Sequence, residues 1–400
     1  MIKKEKLIFL LIALVHLTLV LLMLAGKLNT FFNDASLRKG QAADFFAVYQ
    51  AGYNTKEGNS VYLDNEGEAT PYSYPFRYFP FIGYSLGLVL NIFAPFVAYY
   101  IWILIYEILL GLNIYLTFKQ TRSTSSFLLS CIPWLLFTPY LLEIFMGQWS
   151  FLLTCLLFYS VYGLLNQNRA IYTYILAPLV KPNALILSPL FLRFKKLKLL
   201  LFTAGAILLT SIPYFSVFRD DIPLFMQNFS DVLSYHGGNL GLKSLYGLIT
   251  VEYLSIPLPR LWFLGFVIAL GILTLYLTFK YKNIILSYTL WTCYFFLIYK
   301  DVWEHHYVLM MPVFALISVK MNLTAKHLLS KKYLPLLISF LLIALPTPFI
   351  LQYLFVDNAL VEPDTLSPLF AIPYHITKIT GIIVLYIWSG IQIRTLSYKD

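Results

Sequence analysis

Apolar runs of about 20 residues recur along the chain, and that is the length a helix needs to cross about 30 Å of hydrocarbon. The first, Leu7–Leu28, follows Lys3, Lys4 and Lys6. It is longer than a signal-peptide core and lacks a small-x-small cleavage site. It therefore reads as a retained anchor with a cytoplasmic N-terminus. Further spans are expected at 95–118, 125–145, 149–165, 199–217, 260–279, 283–299, 306–320, 333–355 and 371–392. Between Arg169 and Arg193 lie 23 residues whose two ends both look cytoplasmic, so one crossing does not fit. Two short helices, 170–180 and 183–193, with Lys181-Pro182 at the outer turn, do fit. The expectation is an all-α integral membrane protein of about twelve transmembrane helices, a single polytopic domain over 1–400. Hydrophobic residues at 59% and charged residues at 12% exclude a cytosolic globular enzyme, a disordered chain and a coiled coil, since soluble domains average about 45–50% and about 25%. Cys131, Cys155 and Cys293 all lie in apolar runs, so neither a disulfide framework nor a zinc site is implied.

The net charge of +10 suggests a nucleic-acid partner until it is divided by side. With the spans above, 18 of the 29 positive residues fall in cytoplasmic segments, opposed only by Glu5 and Asp400, a balance of +16; the outer segments carry −5, and Glu107 lies mid-span. The basic charge fixes orientation, with both termini cytoplasmic, and no nucleic-acid partner is expected. The stretch 76–94 is apolar enough to cross, but a crossing there would invert the sign pattern of every later loop. It is expected to lie along the outer interface, where Phe76, Tyr78, Phe79, Phe81 and Tyr84 suit the headgroup region.

Two outer loops are long, 29–94 and 218–259, and function on a membrane scaffold tends to sit on such loops. In the first, Asp44 precedes an apolar helical pattern in which Asp44, Val48 and Ala51 share a face. Asp44 is either a helix N-cap or a functional acid near the bilayer surface. The Tyr74–Pro80 cluster anchors the loop or forms a sugar-stacking wall, and Asp64, Glu66 and Glu68 read as solvated. Glu143 precedes Gly147-Gln148-Trp149, either a tight hairpin or a polar wall of a site. Glu107 reads as a packing residue. Lys181, costly in an apolar stretch, either snorkels to lipid phosphates or neutralises a bound anion. The segment Lys300-Asp301-Val302-Trp303-Glu304-His305-His306 has no standard metal spacing. Phosphate donation or interfacial hydrogen bonding is the better reading, and no metal is expected. His236 in the second loop is undecided, and Arg219 has Asp220 and Asp221 beside it as pairing partners.

These fragments in this order resemble glycosyltransferase family 87 of the GT-C superfamily over residues 5–320. The resemblance rests on Asp44-Phe45 with Tyr49, Ala51-Gly52, Gly58 and Tyr62; on Tyr78-Phe79-Pro80; on Gly147-Gln148; on Lys181-Pro182; and on Trp303, His305-His306 and Pro312. Trp149-Ser150 departs from the small or amide residue the family tends to carry after Gly-Gln. The resemblance implies a GT-C-like fold and inverting transfer of a monosaccharide, typically mannose, from a polyprenyl-phosphate donor. The acceptor is a glycan or glycolipid on the outer face, with no cofactor. Asp44 is then the base; Lys181, His305, His306 and, more weakly, Arg219 hold the donor phosphate. Tyr49, Tyr78, Glu143, Gln148, Trp303 and His236 line the substrate. A bacterial inner or plasma membrane is the expected location. A transporter or lipid flippase, and a lipid-linked glycan polymerase or ligase, are the alternatives carried forward.

Overall fold

The computed structural model describes residues 3–28, 41–63, 68–72, 75–230, 240–247, 249–250, 260–299, 302–345 and 368–396, and every regular element among them is helical. In chain order these are α1 (Lys3–Leu24), α2 (Ala43–Lys56), α3 (Pro80–Leu90, with a π turn at Gly83–Gly87), α4 (Pro95–Lys119), α5 (Thr124–Leu135), α6 (Thr138–Met146), α7 (Ser150–Asn166) and α8 (Arg169–Val180, opening as a 3-10 helix). After Lys181 come a 3-10 turn (Pro182–Leu187), α9 (Ser188–Arg193), α10 (Leu197–Val217), α11 (Asp221–Ser230), α12 (Leu242–Gly247), α13 (Arg260–Lys280) and α14 (Ile284–Ile298). A 3-10 helix (Glu304–Met310) then leads into α15 (Met311–Lys320), followed by α16 (Ala325–Leu328), α17 (Leu334–Ala344) and α18 (Pro368–Leu396).

Six helical stretches among the described residues are long and apolar enough to cross a bilayer: 5–24, 95–119, 124–146, 197–217, 262–280 and 372–394. Leu209, Val217 and Trp262 are 77%, 74% and 77% exposed, an outer surface that only lipid can cover at this density. The protein is an integral membrane protein. The other expected spans are shorter helices. The run 149–165 forms a 17-residue helix and 283–299 a 15-residue one. The run 306–320 is divided between 3-10 and α geometry. Of 333–355, the helix holds only Leu334–Ala344, because Leu345 is driven to an extended conformation (φ −76°, ψ 146°) by the proline after it. Residues 346–355 lie outside the described residues. In 76–94, helix α3 is about 16 Å long at 1.5 Å per residue, half a hydrocarbon thickness.

The chain divides into two compact units. One comprises 1–37, 112–142 and 235–400. In it α17 and α15 pack on α18 and α5 respectively. His16 of α1 hydrogen-bonds Leu135 O at 2.9 Å, and Ser339 donates to Gly381 O at 2.7 Å. Helix α14 starts where the Asn283 side chain accepts from Leu286 N–H, which satisfies one of the amides a helix start leaves open.

The second unit comprises 38–111 and 143–234. Helices α2 and α3 approach backbone to backbone: a Cβ on Gly52 would stand 2.0 Å from the Gly87 carbonyl carbon. Helix α8 lies on α7 at a similar closeness, since a Cβ on Gly163 would meet Ile171 N at 2.1 Å. Lys181 between α8 and the next turn is extended (φ −144°, ψ 124°), as the following Pro182 requires. The short helices on either side of it follow the sequence pattern.

Candidate functional site

The Lys181 site, in the second unit, begins with two left-handed residues. Gly147, after α6, has φ +69°, and a Cβ there would stand 2.3 Å from Phe45 Cβ, so both conformation and space demand glycine. Opposite it, Ala42 has φ +71° and donates its N–H to Phe145 O at 2.8 Å. This contact sets α2 against the turn between α6 and α7. It also corrects one reading of Asp44. The capping residue of α2 is Ala42, without a side-chain cap, and Asp44 sits inside the first turn. There the helix dipole favours its carboxylate. Asp44 is partly exposed, with Oδ2 buried.

Glu143 is fully buried and does not face solvent. Its Oε1 accepts from Phe151 N–H at 2.6 Å, so the first turn of α7 is capped by a side chain from the helix before it. The backbone turns back over this contact, with Gln148 N–H donating to Glu143 O at 3.0 Å. Both Lys181 and Asp44 lie within electrostatic reach of the Glu143 carboxylate, one of opposite sign and one of like sign.

Lys181 is held from two sides. Its Nζ donates to Ser150 Oγ at 2.7 Å and to Gln148 Oε1 at 3.3 Å. Tyr78 OH donates to the same Gln148 oxygen at 3.0 Å, and the Lys181 ammonium lies 5.7 Å from the Tyr78 ring centroid. Tyr106 OH fixes the Gln148 main chain at 2.6 Å. Behind these stands an aromatic wall. Tyr78 meets Trp149 edge-on at 6.5 Å, Trp149 meets Trp102 at 4.2 Å, and Trp102 meets Phe45 at 6.4 Å. Trp102 and Tyr106 were not singled out from sequence, and Ser150 only as a departure from the family pattern after Gly147-Gln148. Tyr99, Trp102 and Tyr106 follow the i, i+3, i+7 spacing of one helix face, a signal that could have found Trp102 and Tyr106.

The remaining expected residues of this unit lie elsewhere. Tyr49 is buried with its phenol donating to Phe93 O at 2.8 Å, and burial raises its pKa. Arg219 is exposed at the start of the second long loop. Its neighbour Asp221 turns inward, accepting from Ser60 Oγ at 2.7 Å and from Tyr214 OH. Tyr62 donates to Tyr78 O at 2.8 Å. Burial, with smaller contributions from Tyr214 and Asp221, pushes its phenol pKa up. Glu107 is half-buried and Glu68 exposed, while Asp64 and Glu66 lie outside the described residues.

In the other unit, His305 and His306 are both buried, their rings 4.2 Å apart. His306 Nδ1 accepts from the N–H of half-buried Trp303 at 3.0 Å, which places the proton of the neutral imidazole on Nε2. The adjacent Glu304 is ion-paired at 2.8 Å with Lys378 of α18. Lys378 is fully buried and also donates to Ile343 O at 2.6 Å and to Leu345 O. Lys378 and Glu304 were counted with the outer segments in the charge balance. Both are interior, and removing the pair leaves that balance unchanged. His236, Lys300 and Asp301 lie outside the described residues.

No protein-family model matches the chain, and a search of curated proteins finds no significant match.

Proposed function

We propose that the protein is an inverting glycosyltransferase of the GT-C type, similar to family 87. It moves a monosaccharide, mannose in the first instance, from a polyprenyl-phosphate donor to a glycan or glycolipid acceptor. The observation that carries this reading is the cluster in one compact unit. A partly exposed carboxylate (Asp44) and a held ammonium (Lys181) both act on the buried Glu143, and Tyr78, Gln148 and Ser150 surround the ammonium. A transferase using a phosphate leaving group needs one base and one cationic phosphate holder.

In the proposed reaction Asp44 takes the proton of the acceptor hydroxyl as its oxygen bonds to the anomeric carbon. The bond from that carbon to the donor phosphate oxygen breaks with inversion. The polyprenyl phosphate leaves carrying the extra negative charge, which Lys181 stabilises. No general acid is required, in contrast to glycoside hydrolysis with its carboxylate pair. The proposal includes about twelve crossings, cytoplasmic termini, an outward site and a bacterial inner or plasma membrane.

The test is transfer from radiolabelled polyprenyl-phosphate-mannose to a panel of glycan and glycolipid acceptors by the full chain in nanodiscs. Transfer that is lost in Asp44→Asn supports the reading; wild-type turnover by that variant overturns the base assignment. One observation favours a transporter instead, the buried ion pair between Glu304 and Lys378, whose lysine lies in a membrane-length helix. Substrate movement across sealed vesicles without covalent transfer would establish that alternative.

A further inference from the structure

The two long loops meet in a buried polar knot away from Lys181. Asp221, 5% exposed at the first residue of α11, accepts from Ser60 Oγ and from Tyr214 OH on one oxygen. The Tyr214 phenol oxygen in turn accepts from Val61 N–H at 2.9 Å, and Ser60 Oγ accepts from Tyr62 N–H at 3.0 Å. The three residues 60–62 of the first loop are thereby fastened to the end of α10 and the start of α11. The rings around the knot belong to Tyr62, Phe76 and Phe225, with Tyr62 5.4 Å from Phe76 and 6.3 Å from Phe225. A carboxylate buried among rings is costly unless donors meet it, so the knot holds one geometry.

From the knot a continuous path of hydrogen bonds runs to the candidate site. Tyr62, fixed by its backbone to Ser60, donates its phenol to Tyr78 O at 2.8 Å. Tyr78 donates its own phenol to Gln148 Oε1, which also receives Lys181 Nζ. Tyr78 lies in a short stretch of irregular chain between residue 75 and the start of α3, with its ring against Phe76 and Trp149. The Tyr62 bond ties its main chain to the stretch 60–62, which Asp221 and Tyr214 hold.

The geometry points to Asp221 and Tyr62 as positioning residues for the Lys181 site: the second long loop, through Asp221, sets the place of Tyr78 and with it the hold of Gln148 and Lys181 on a phosphate-bearing ligand. This rests on the assignment of Lys181 to the donor phosphate. The path from Tyr62 to Gln148 and Lys181 passes through Tyr78.

The experiment measures binding of farnesyl phosphate to the full chain in detergent by tryptophan fluorescence. The variants are Lys181→Ala, Asp221→Asn, Tyr62→Phe, Tyr78→Phe and the double variant Tyr62→Phe/Tyr78→Phe, each with its melting temperature. The expected result is weaker binding by about three- to tenfold in Tyr62→Phe and Asp221→Asn, the loss of one hydrogen bond's effect. Tyr62→Phe should have no further effect once Tyr78 is Phe, a coupling that a merely structural contribution would not produce. If Asp221→Asn melts early, Tyr62→Phe decides, because it removes a single hydroxyl. Weakened binding in Lys181→Ala with wild-type binding in Tyr62→Phe overturns this inference and leaves the phosphate assignment standing. Additive effects of Tyr62→Phe and Tyr78→Phe also overturn it. Wild-type binding in Lys181→Ala overturns the phosphate assignment and this inference with it.

Discussion

Lys378 meets Glu304 at 2.8 Å in the interior of its unit, and its other two bonds go to the carbonyls of Ile343 and Leu345. An ammonium has three protons to give, and these three acceptors match them. The pair ties α18, the end of α17 and the 3-10 helix that carries His305 and His306. Lys378→Met should destabilise the protein by about 3–5 kcal/mol, because Glu304 is left as an uncompensated buried charge. Lys378→Met combined with Glu304→Gln should recover a large part of that loss. Thermal unfolding of the two variants and the wild type in one detergent checks this.

Asp44→Asn should leave folding and expression intact, because the substitution keeps the side chain's size and the helix start is held by the Ala42 to Phe145 contact. Transfer should fall by a factor of about 10² or more, within the usual range for general acid–base catalysis. Rates and melting temperatures measured on the same preparations separate the two effects.

Lys181→Ala should raise the KM for a polyprenyl-phosphate sugar more than it changes the KM for the acceptor. The ammonium stands among Ser150, Gln148 and Tyr78. An equal loss for both substrates would mean that the variant had disturbed this packing instead.

Gly147→Ala should be among the most damaging single changes in the second unit. A left-handed conformation costs a non-glycine residue about 1–3 kcal/mol, and here the added carbon also collides with Phe45 Cβ at 2.3 Å. Gly111→Ala, in α4 with open space around it, should be tolerated. Yield of folded protein by size-exclusion chromatography distinguishes the two.

The membrane class of the fold was legible because hydropathy is additive along the chain: α1, α4, α10 and α13 each declare themselves by length and composition. Helix breaks were less legible. Leu345 ends α17 because of Pro346, a local rule that a hydropathy window averages away. At the site, Asp44, Gln148 and Lys181 stood out as polar residues in apolar surroundings. Their supporting shell did not. Trp102, Tyr106 and Ser150 look like ordinary core residues until the chain folds, and the buried partner of Glu304, 74 positions away, has no signature in local spacing.

The extended residue at 181 also bears on how the chain is assembled. Residues 170–192 run apolar on both sides of Lys181, and the folded protein holds them as two short pieces around that charged break. Neither piece is long enough to persist by itself in lipid with its ends unsatisfied. The first lies against α7 closely enough that Gly163 has no room for a side chain, and that surface is synthesised earlier. Damage at Gly163 should therefore appear as a loss of correctly inserted protein before it appears as one of activity, as protease accessibility of membrane preparations would read.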